Sequence, residues 1–198
     1  KGVSLSRCSA DISIMKRIFI AVLMLLSSGH LFAQKWSIST NLVDYACLGT
    51  MNLDASYSLS RRWSLTAGAR YNPFTFNEGD PDEQYQMRQQ SYAIGARLWP
   101  WHTMSGWWFA GKLRYQEYNY AGITSPEAEE GDRFGAGAYA GYTHMLSRHF
   151  NIEFGFGFWT GIALYKTYSC PKCGVTLDDG RKYFLLPDDL MISVAYVF

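Results

Sequence analysis

The sharpest local chemistry in the sequence is the run Cys170-Pro171-Lys172-Cys173-Gly174. Two thiols separated by two residues supply half of a tetrahedral zinc site, which takes four ligands. The sequence contains no second such pair, and the surrounding segment 166–188 holds no histidine. A thioredoxin-type redox pair would need a βαβ setting, which the flanking residues do not supply. In an exported protein, a local disulfide closing a tight turn is the plainer chemistry. Cys170 and Cys173 are therefore expected to form a disulfide or a close dithiol, with a partial metal site as the alternative. Cys47 is a third thiol that a closed fold would bring toward this pair. No metal and no cofactor is assigned.

Nucleophilic catalysis needs a base and an orienting group within reach of the nucleophile. The histidines that follow residue 33 are His102, His144 and His149, and Ser147 falls between the last two. All lie in or beside short links, at the wrong end of the fold for an enzyme acting on outer-leaflet lipid. No catalytic residue is assigned, and the chain is not expected to be an enzyme. Two longer links lean acidic, one with Glu78, Asp80, Asp82 and Glu83, the next with Glu127, Glu129, Glu130 and Asp132. Their spacing lacks the ordered ligand register of a calcium loop, so they read as solvated tips. Arg61, Arg62 and Arg148 fall in the short links instead.

The elements that carry these residues follow from composition and period. The chain has 198 residues, 48% hydrophobic, 17% aromatic and 18% charged, with 18 glycines and a formal net charge of +1. Disordered chains carry more charge and fewer aromatics. Nucleic-acid binders are usually strongly basic, so no nucleic-acid partner is expected. Met15-Lys16-Arg17, the apolar run Ile18–Leu26 and a small-residue site at Ala33 follow the three-part order of a secretory signal peptide. Residues 15–33 are read as that signal, 1–14 as an artefact upstream of a better start at Met15, and 34–198 as the folded domain. Losing Lys1, Arg7, Lys16, Arg17 and Asp11 with the leader takes the net charge from +1 to −2.

The remainder alternates with period two in eight runs, the signature of strands. Leu53, Ala55 and Tyr57 oppose Asp54, Ser56 and Ser58. Trp107, Phe109, Leu113 and Tyr115 oppose Trp108, Lys112, Arg114 and Gln116. Phe154, Phe156 and Phe158 oppose Glu153, Gly155 and Gly157. The apolar face carries no charge in any run, and its aromatics gather near strand ends, as on the lipid face of a membrane barrel. The other face is small and polar, suited to a narrow lumen. Its charges are Asp54, Arg70, Arg97, Lys112, Arg114 and Glu153. Burial makes pairing or hydration of these nearly obligatory, so they are expected to form a salt-bridge network that fills the lumen. Large apolar side chains packed inside would instead argue for a soluble, lipocalin-type barrel. Short links near 60–62, 99–105 and 146–149 alternate with long ones near 75–89, 119–132 and 166–188, the asymmetry of outer-membrane barrels. Ile192, Val194, Tyr196 and Phe198 alternate to the end, so Tyr196 and Phe198 are read as a signal for the outer-membrane insertion machinery. The expected fold is all-β, an eight-stranded antiparallel up-and-down transmembrane β-barrel.

A set of short motifs adds a resemblance. Thr40-Asn41-Leu42, Arg62-Trp63-Ser64-Leu65, Asn72-Pro73-Phe74, Ala96-Arg97-Leu98-Trp99 and Tyr118-Asn119-Tyr120-Ala121-Gly122 come in that order. Cys170-Pro171-Lys172-Cys173-Gly174 and the Ile192–Phe198 ending follow. Together they resemble the outer-membrane barrel family of Bacteroides-type bacteria catalogued as domain of unknown function 3575. Leu186-Pro187-Asp188-Asp189 stands where that family usually has a Gly-Pro-Thr-Lys-type run. The resemblance supplies no catalytic residues. It implies an envelope context, because members are often encoded near fimbrial assembly genes. The expected function is a structural or interaction role in the bacterial envelope, linked to fimbrial or surface assembly. The alternatives are a lipid-modifying outer-membrane enzyme and a small ligand-binding or pore barrel. Expected partners are outer-membrane lipid, the insertion machinery, and fimbrial or surface proteins.

Overall fold

The computed structural model describes residues 35–77, 84–122, 127–169 and 175–198. Residues 1–14, residues 15–33, where a signal peptide is expected, and the Cys170/Cys173 pair lie outside the described residues. In chain order, β1 is Trp36–Asn41, α1 Leu42–Ala46, β2 Met51–Ser58, β3 Trp63–Asn72 and β4 Thr75–Phe76. Then follow β5 Tyr85–Leu98, β6 Gly106–Ala121, β7 Ala128–Met145, β8 Phe150–Tyr168 and β9 Thr176–Val197. β4 has two residues and pairs with β5 just beyond the reach of β3, so it continues β3 past Pro73. Proline has no N–H to give a ladder, which accounts for the break. The wall therefore has the eight expected staves.

All neighbours are antiparallel, in the order β3-β2-β1-β9-β8-β7-β6-β5-β4, and the β3–β5 pairing closes the circle. One perpendicular row runs Ser39, Asp54, Gly68, Ala93, Arg114, Gly135, Gly161, Phe184. It arrives on β9 eleven residues from Ala195, where Ser39 pairs on the other side, and a one-residue bulge accounts for one of these. A stagger of about ten over eight strands tilts them roughly 40° from the axis.

The extents differ from expectation in three places. First, β1 stops at Asn41, although the alternating run that opens at Trp36 reads on to Val43 in the sequence. Asn41 accepts the Val43 N–H on its side-chain oxygen at 3.3 Å and starts α1, the ordinary use of Asn as an N-cap. Second, the links near 119–132 and 166–188 are mostly strand. β6 runs to Ala121, β7 starts at Ala128, β8 runs to Tyr168 and β9 starts at Thr176. Outside an apolar environment a paired strand needs no hydrophobic face, so its charged residues disguised it as loop. Third, β9 shifts register between its pairings at Gly155/Met191 and Gly157/Asp188. Tyr183 and Leu185 face outward before the bulge, and Ile192, Val194 and Tyr196 after it. The bulge reverses the parity and sits beside Pro187, a residue that sheets tolerate at bulges.

The inner face also differs. It is not only small and polar: Trp99, Trp108, Tyr139, Trp159 and Met191 are buried inside it. Space for Trp108 and Tyr139 comes from glycines beside them, on the neighbouring strands and, for Gly137, two residues along the same strand. A Cβ at Gly141 or Gly155 would press on the Trp108 ring, one at Gly137 or Gly157 on the Tyr139 ring, and one at Gly68 on the Asp54 carboxylate. The outer face carries the aliphatic and aromatic bulk. Trp36, Trp63, Trp107, Phe150 and Tyr196 are exposed toward the short-turn end, and Tyr71, Tyr92, Tyr115 and Phe134 toward the other. Between these two collars stand exposed Leu53, Leu65, Ile94, Phe109, Leu113 and Phe156.

Two glycine variants test this packing. Gly157→Ala drives a methyl into the Tyr139 ring, and overpacking of this kind destabilises by about 1–3 kcal/mol. A Cβ at Gly111 meets nothing within 4 Å, so Gly111→Ala leaves stability unchanged. Thermal unfolding of the purified variants, followed by circular dichroism, separates the two.

Candidate functional site

The expected lumen charges converge, with additions. Arg97 donates from Nη1 to Glu153 Oε2 at 2.9 Å, and Thr143 donates its hydroxyl to Glu153 Oε1 at 3.2 Å. The Arg97 and Glu153 side chains are 2% and 5% exposed, so the pair is closed off from water. The Arg97 guanidinium also lies 4.5 Å from the Trp108 ring centroid. Lys112 and Arg114 repeat this arrangement, over Tyr139 at 4.7 Å and over Trp159 at 5.3 Å. A desolvated cation over an aromatic face gains about 2 kcal/mol. Asp54, Arg70, Lys112 and Arg114 surround a void of about 10 Å³, room for one water molecule.

Arg70 has a partner that the sequence reading did not include. Its Nε meets Asp44 Oδ2 at 2.9 Å. Asp44 sits on α1, and Asn41 Nδ2 holds its other oxygen at 3.0 Å. Asn41 and Asn52 clasp one another, Asn41 N–H to Asn52 Oδ1 at 2.6 Å and Asn52 Nδ2 to Asn41 O at 2.9 Å. The Asn41 cap was the available signal, since it predicts a helical turn that would carry Asp44 off the strand path.

A second cluster lies toward the long-hairpin end. Glu129 takes Lys182 Nζ at 2.8 and 2.7 Å and the Tyr118 hydroxyl at 2.6 Å. The Arg133 guanidinium stacks 3.7 Å from the Tyr118 ring centroid. Burial pushes the Glu129 carboxyl up, but hydrogen bonds from Lys182 and Tyr118 and the charges of Lys182 and Arg133 outweigh it, leaving it below the ordinary 4.5. Burial, and then the hydrogen bond to Glu129, hold the Tyr118 hydroxyl well above the usual tyrosine range. From the collar at the long-hairpin end, the upper collar, outward lies a cleft of about 850 Å³ whose lining includes the collar residue Tyr71 with Gln90, Glu117, Asn119, Asp132 and Lys166.

The remaining candidates are dispersed. Ser147 Oγ accepts the backbone N–H of His149 at 3.4 Å and of Phe150 at 3.2 Å, so it organises its own turn. His149 Nδ1 lies 2.9 Å from the Val197 carbonyl, and its ring stacks on Tyr196 at 5.7 Å. His102 bridges to Ser105 in the turn after β5. Tyr196 packs edge-on against Phe150 at 5.2 Å in the lower collar, and Phe198 directly follows β9. Cys47 is an exposed free thiol after α1. Among the described residues no group of three or more His, Cys, Asp or Glu is placed to hold a metal ion.

A family model described as a protein of unknown function, DUF3575, matches residues 18–198. No curated protein and no solved structure matches the chain significantly.

Glu153→Ala strands the buried Arg97 charge, a change that destabilises by about 3–5 kcal/mol. Thermal melts of this variant should show a loss several-fold greater than those of Lys166→Ala, an exposed residue. The Glu129 cluster has its own pH signature. Its carboxyl is lower in the folded than in the unfolded chain, so its contribution is complete above about pH 4.5 and fades as pH falls through the folded value. Glu129→Gln should flatten the loss of melting temperature below pH 4.5 that the parent chain displays.

Proposed function

We propose that this chain, which belongs to the DUF3575 family of unknown function, is a closed outer-membrane barrel that serves the bacterial envelope as a structural and interaction protein. The observation that carries this reading is the apolar exterior between two aromatic collars. On β3 the collars are Trp63 and Tyr71, and on β6 Trp107 and Tyr115, each pair eight residues apart and all exposed. At a tilt of about 40°, eight residues rise about 20 Å, and the rings extend this to the roughly 25 Å apolar band of such barrels. In water this surface would be an aggregation hazard far larger than a soluble protein tolerates.

The aromatic interior does not reverse the argument. A soluble lipocalin-type barrel keeps its charges outside, whereas here Arg97, Lys112, Arg114 and Glu153 are buried and Leu, Ile and Phe are exposed. The interior rings are seats for cations rather than an aliphatic core. The basic, apolar and small order of residues 15–33 supports export. The alternating Ile192, Val194, Tyr196 and Phe198 fit recognition by the insertion machinery.

The buried Arg97–Glu153 pair and the rings beside it favour a non-conducting barrel over a pore. An interaction role is supported by wall height. A membrane strand needs 9–11 residues, and β7, β8 and β9 have 18, 19 and 22. The surplus continues beyond the upper collar as a hydrogen-bonded sheet, suited to meeting fimbrial or other surface proteins.

Fractionation tests the location: the protein is expected in outer membranes, resistant to carbonate and shifting on gels only after boiling. Recovery from the soluble periplasm would overturn the reading. Cross-linking on intact cells, followed by purification, should bring down a surface or pilus component through the β7–β9 hairpins. Planar bilayers should show no stepwise conductance.

A further inference from the structure

We infer that the cleft beyond the upper collar is a binding site for a neutral or amino-sugar oligosaccharide. Its floor is two registered rows of side chains. Tyr71, Gln90, Glu117, Asp132 and Leu164 are successive cross-strand neighbours on β3, β5, β6, β7 and β8. Arg88, Asn119, Glu130, Lys166 and Asp179 form the next row, from β5 to β9. Four inter-strand steps of about 4.8 Å make the first row roughly 19 Å wide. The volume of about 850 Å³ suits a ligand of several rings.

A pyranose presents an apolar face of C–H bonds and a rim of hydroxyls that both donate and accept. The first needs an exposed aromatic ring, and Tyr71 and Tyr115 are 49% and 37% exposed at the cleft. The second needs planar groups that accept, and amides that do both. Glu117, Asp132, Gln90 and Asn119 are these groups. They are already held in place. The Tyr115 hydroxyl lies 2.9 Å from both Glu117 Oε1 and Asp132 Oδ1. Gln90 Nε2 donates to the Tyr92 hydroxyl at 2.6 Å, and Asn119 Nδ2 to Glu130 Oε2 at 3.2 Å. Groups fixed before binding lose less freedom when the ligand arrives.

Charge narrows the class. Glu117, Glu130, Asp132 and Asp179 outnumber Arg88 and Lys166 in the lining, which works against phosphate and uronate groups. Peptides fit less well. They bind by adding a strand to an open edge or by seating apolar anchors. β6, β7 and β8, which carry the floor, are paired on both flanks, and among the described residues Leu164 is the one branched aliphatic residue in the lining.

The test is isothermal titration of the purified full chain with maltohexaose, cellohexaose, mannohexaose, chitohexaose, a glucosamine hexamer, hexagalacturonate and a hexalysine peptide. At least one neutral or amino-sugar hexamer should bind, and hexagalacturonate should not. Tyr71→Ala and Gln90→Ala, both on the outer surface, should each weaken that binding at least tenfold while melting temperature stays unchanged. No binding by any neutral or amino-sugar hexamer overturns the inference. So does equal binding of hexagalacturonate, binding of hexalysine alone, or sugar binding indifferent to both variants. A soluble location would defeat the membrane reading and leave this result standing, because the cleft is defined by its own side chains.

Discussion

A closed wall of eight strands leaves room for a single layer of large side chains, and that space governs most of the inner sequence. Several big inward residues are matched by glycines, Trp108 by Gly141 and Gly155 on the next two strands, Tyr139 by Gly157 across the ladder and by Gly137 two residues along its own strand, Asp54 by Gly68. The matching does more than relieve crowding. It lets three rings lie flat enough for Arg97, Lys112 and Arg114 to sit over their faces. Buried cations that would be untenable alone are thereby given an electronegative surface, and Glu153 neutralises one of them directly.

The wall is uneven in height. β1 and β2 have 6 and 8 residues, whereas β8 and β9 have 19 and 22. On the low side, α1 takes over where β1 stops, and Asn41 continues the ladder with its side chain, accepting the Ile192 N–H at 3.0 Å. On the high side the sheet outlasts the apolar exterior, and its chemistry changes row by row from rings to amides and carboxylates. The Glu129–Lys182–Tyr118 cluster then ties three of these tall strands together.

Much of this was legible in the alternation of residues. Parity alone put Trp108, Lys112, Arg114 and Glu153 on one face and the Phe154, Phe156, Phe158 series on the other, because a strand has only two sides. What parity cannot carry is register. That Gly157 faces Tyr139, or that Asp44 reaches Arg70, depends on which residues stand opposite in a ladder, and on a helical turn that removes Asp44 from the strand path. The tall hairpins were missed for a different reason. Glu129, Glu130, Lys166 and Asp179 look like loop residues, yet charge there marks the end of the apolar exterior and not the end of a strand. The bulge in β9 had a visible trace, as outward apolar residues move from odd positions at Tyr183 and Leu185 to even ones at Ile192 and Val194.

That bulge gives the last strand two phases within one ladder. Above it, odd residues face out; below it, even ones do. A single extra residue in one strand of a pair is what reconciles them. The consequence concerns tolerance to changes of length. Elsewhere in the wall, deleting one residue turns every later side chain to the wrong face. At Pro187–Leu190 the same deletion would instead remove the extra residue, and unbroken alternation from Tyr183 and Leu185 would keep Ile192, Val194 and Tyr196 facing outward. The spare residue in β9 is thus a fixed offset between two halves of a strand, and the closing seam with β1 is set by where it falls.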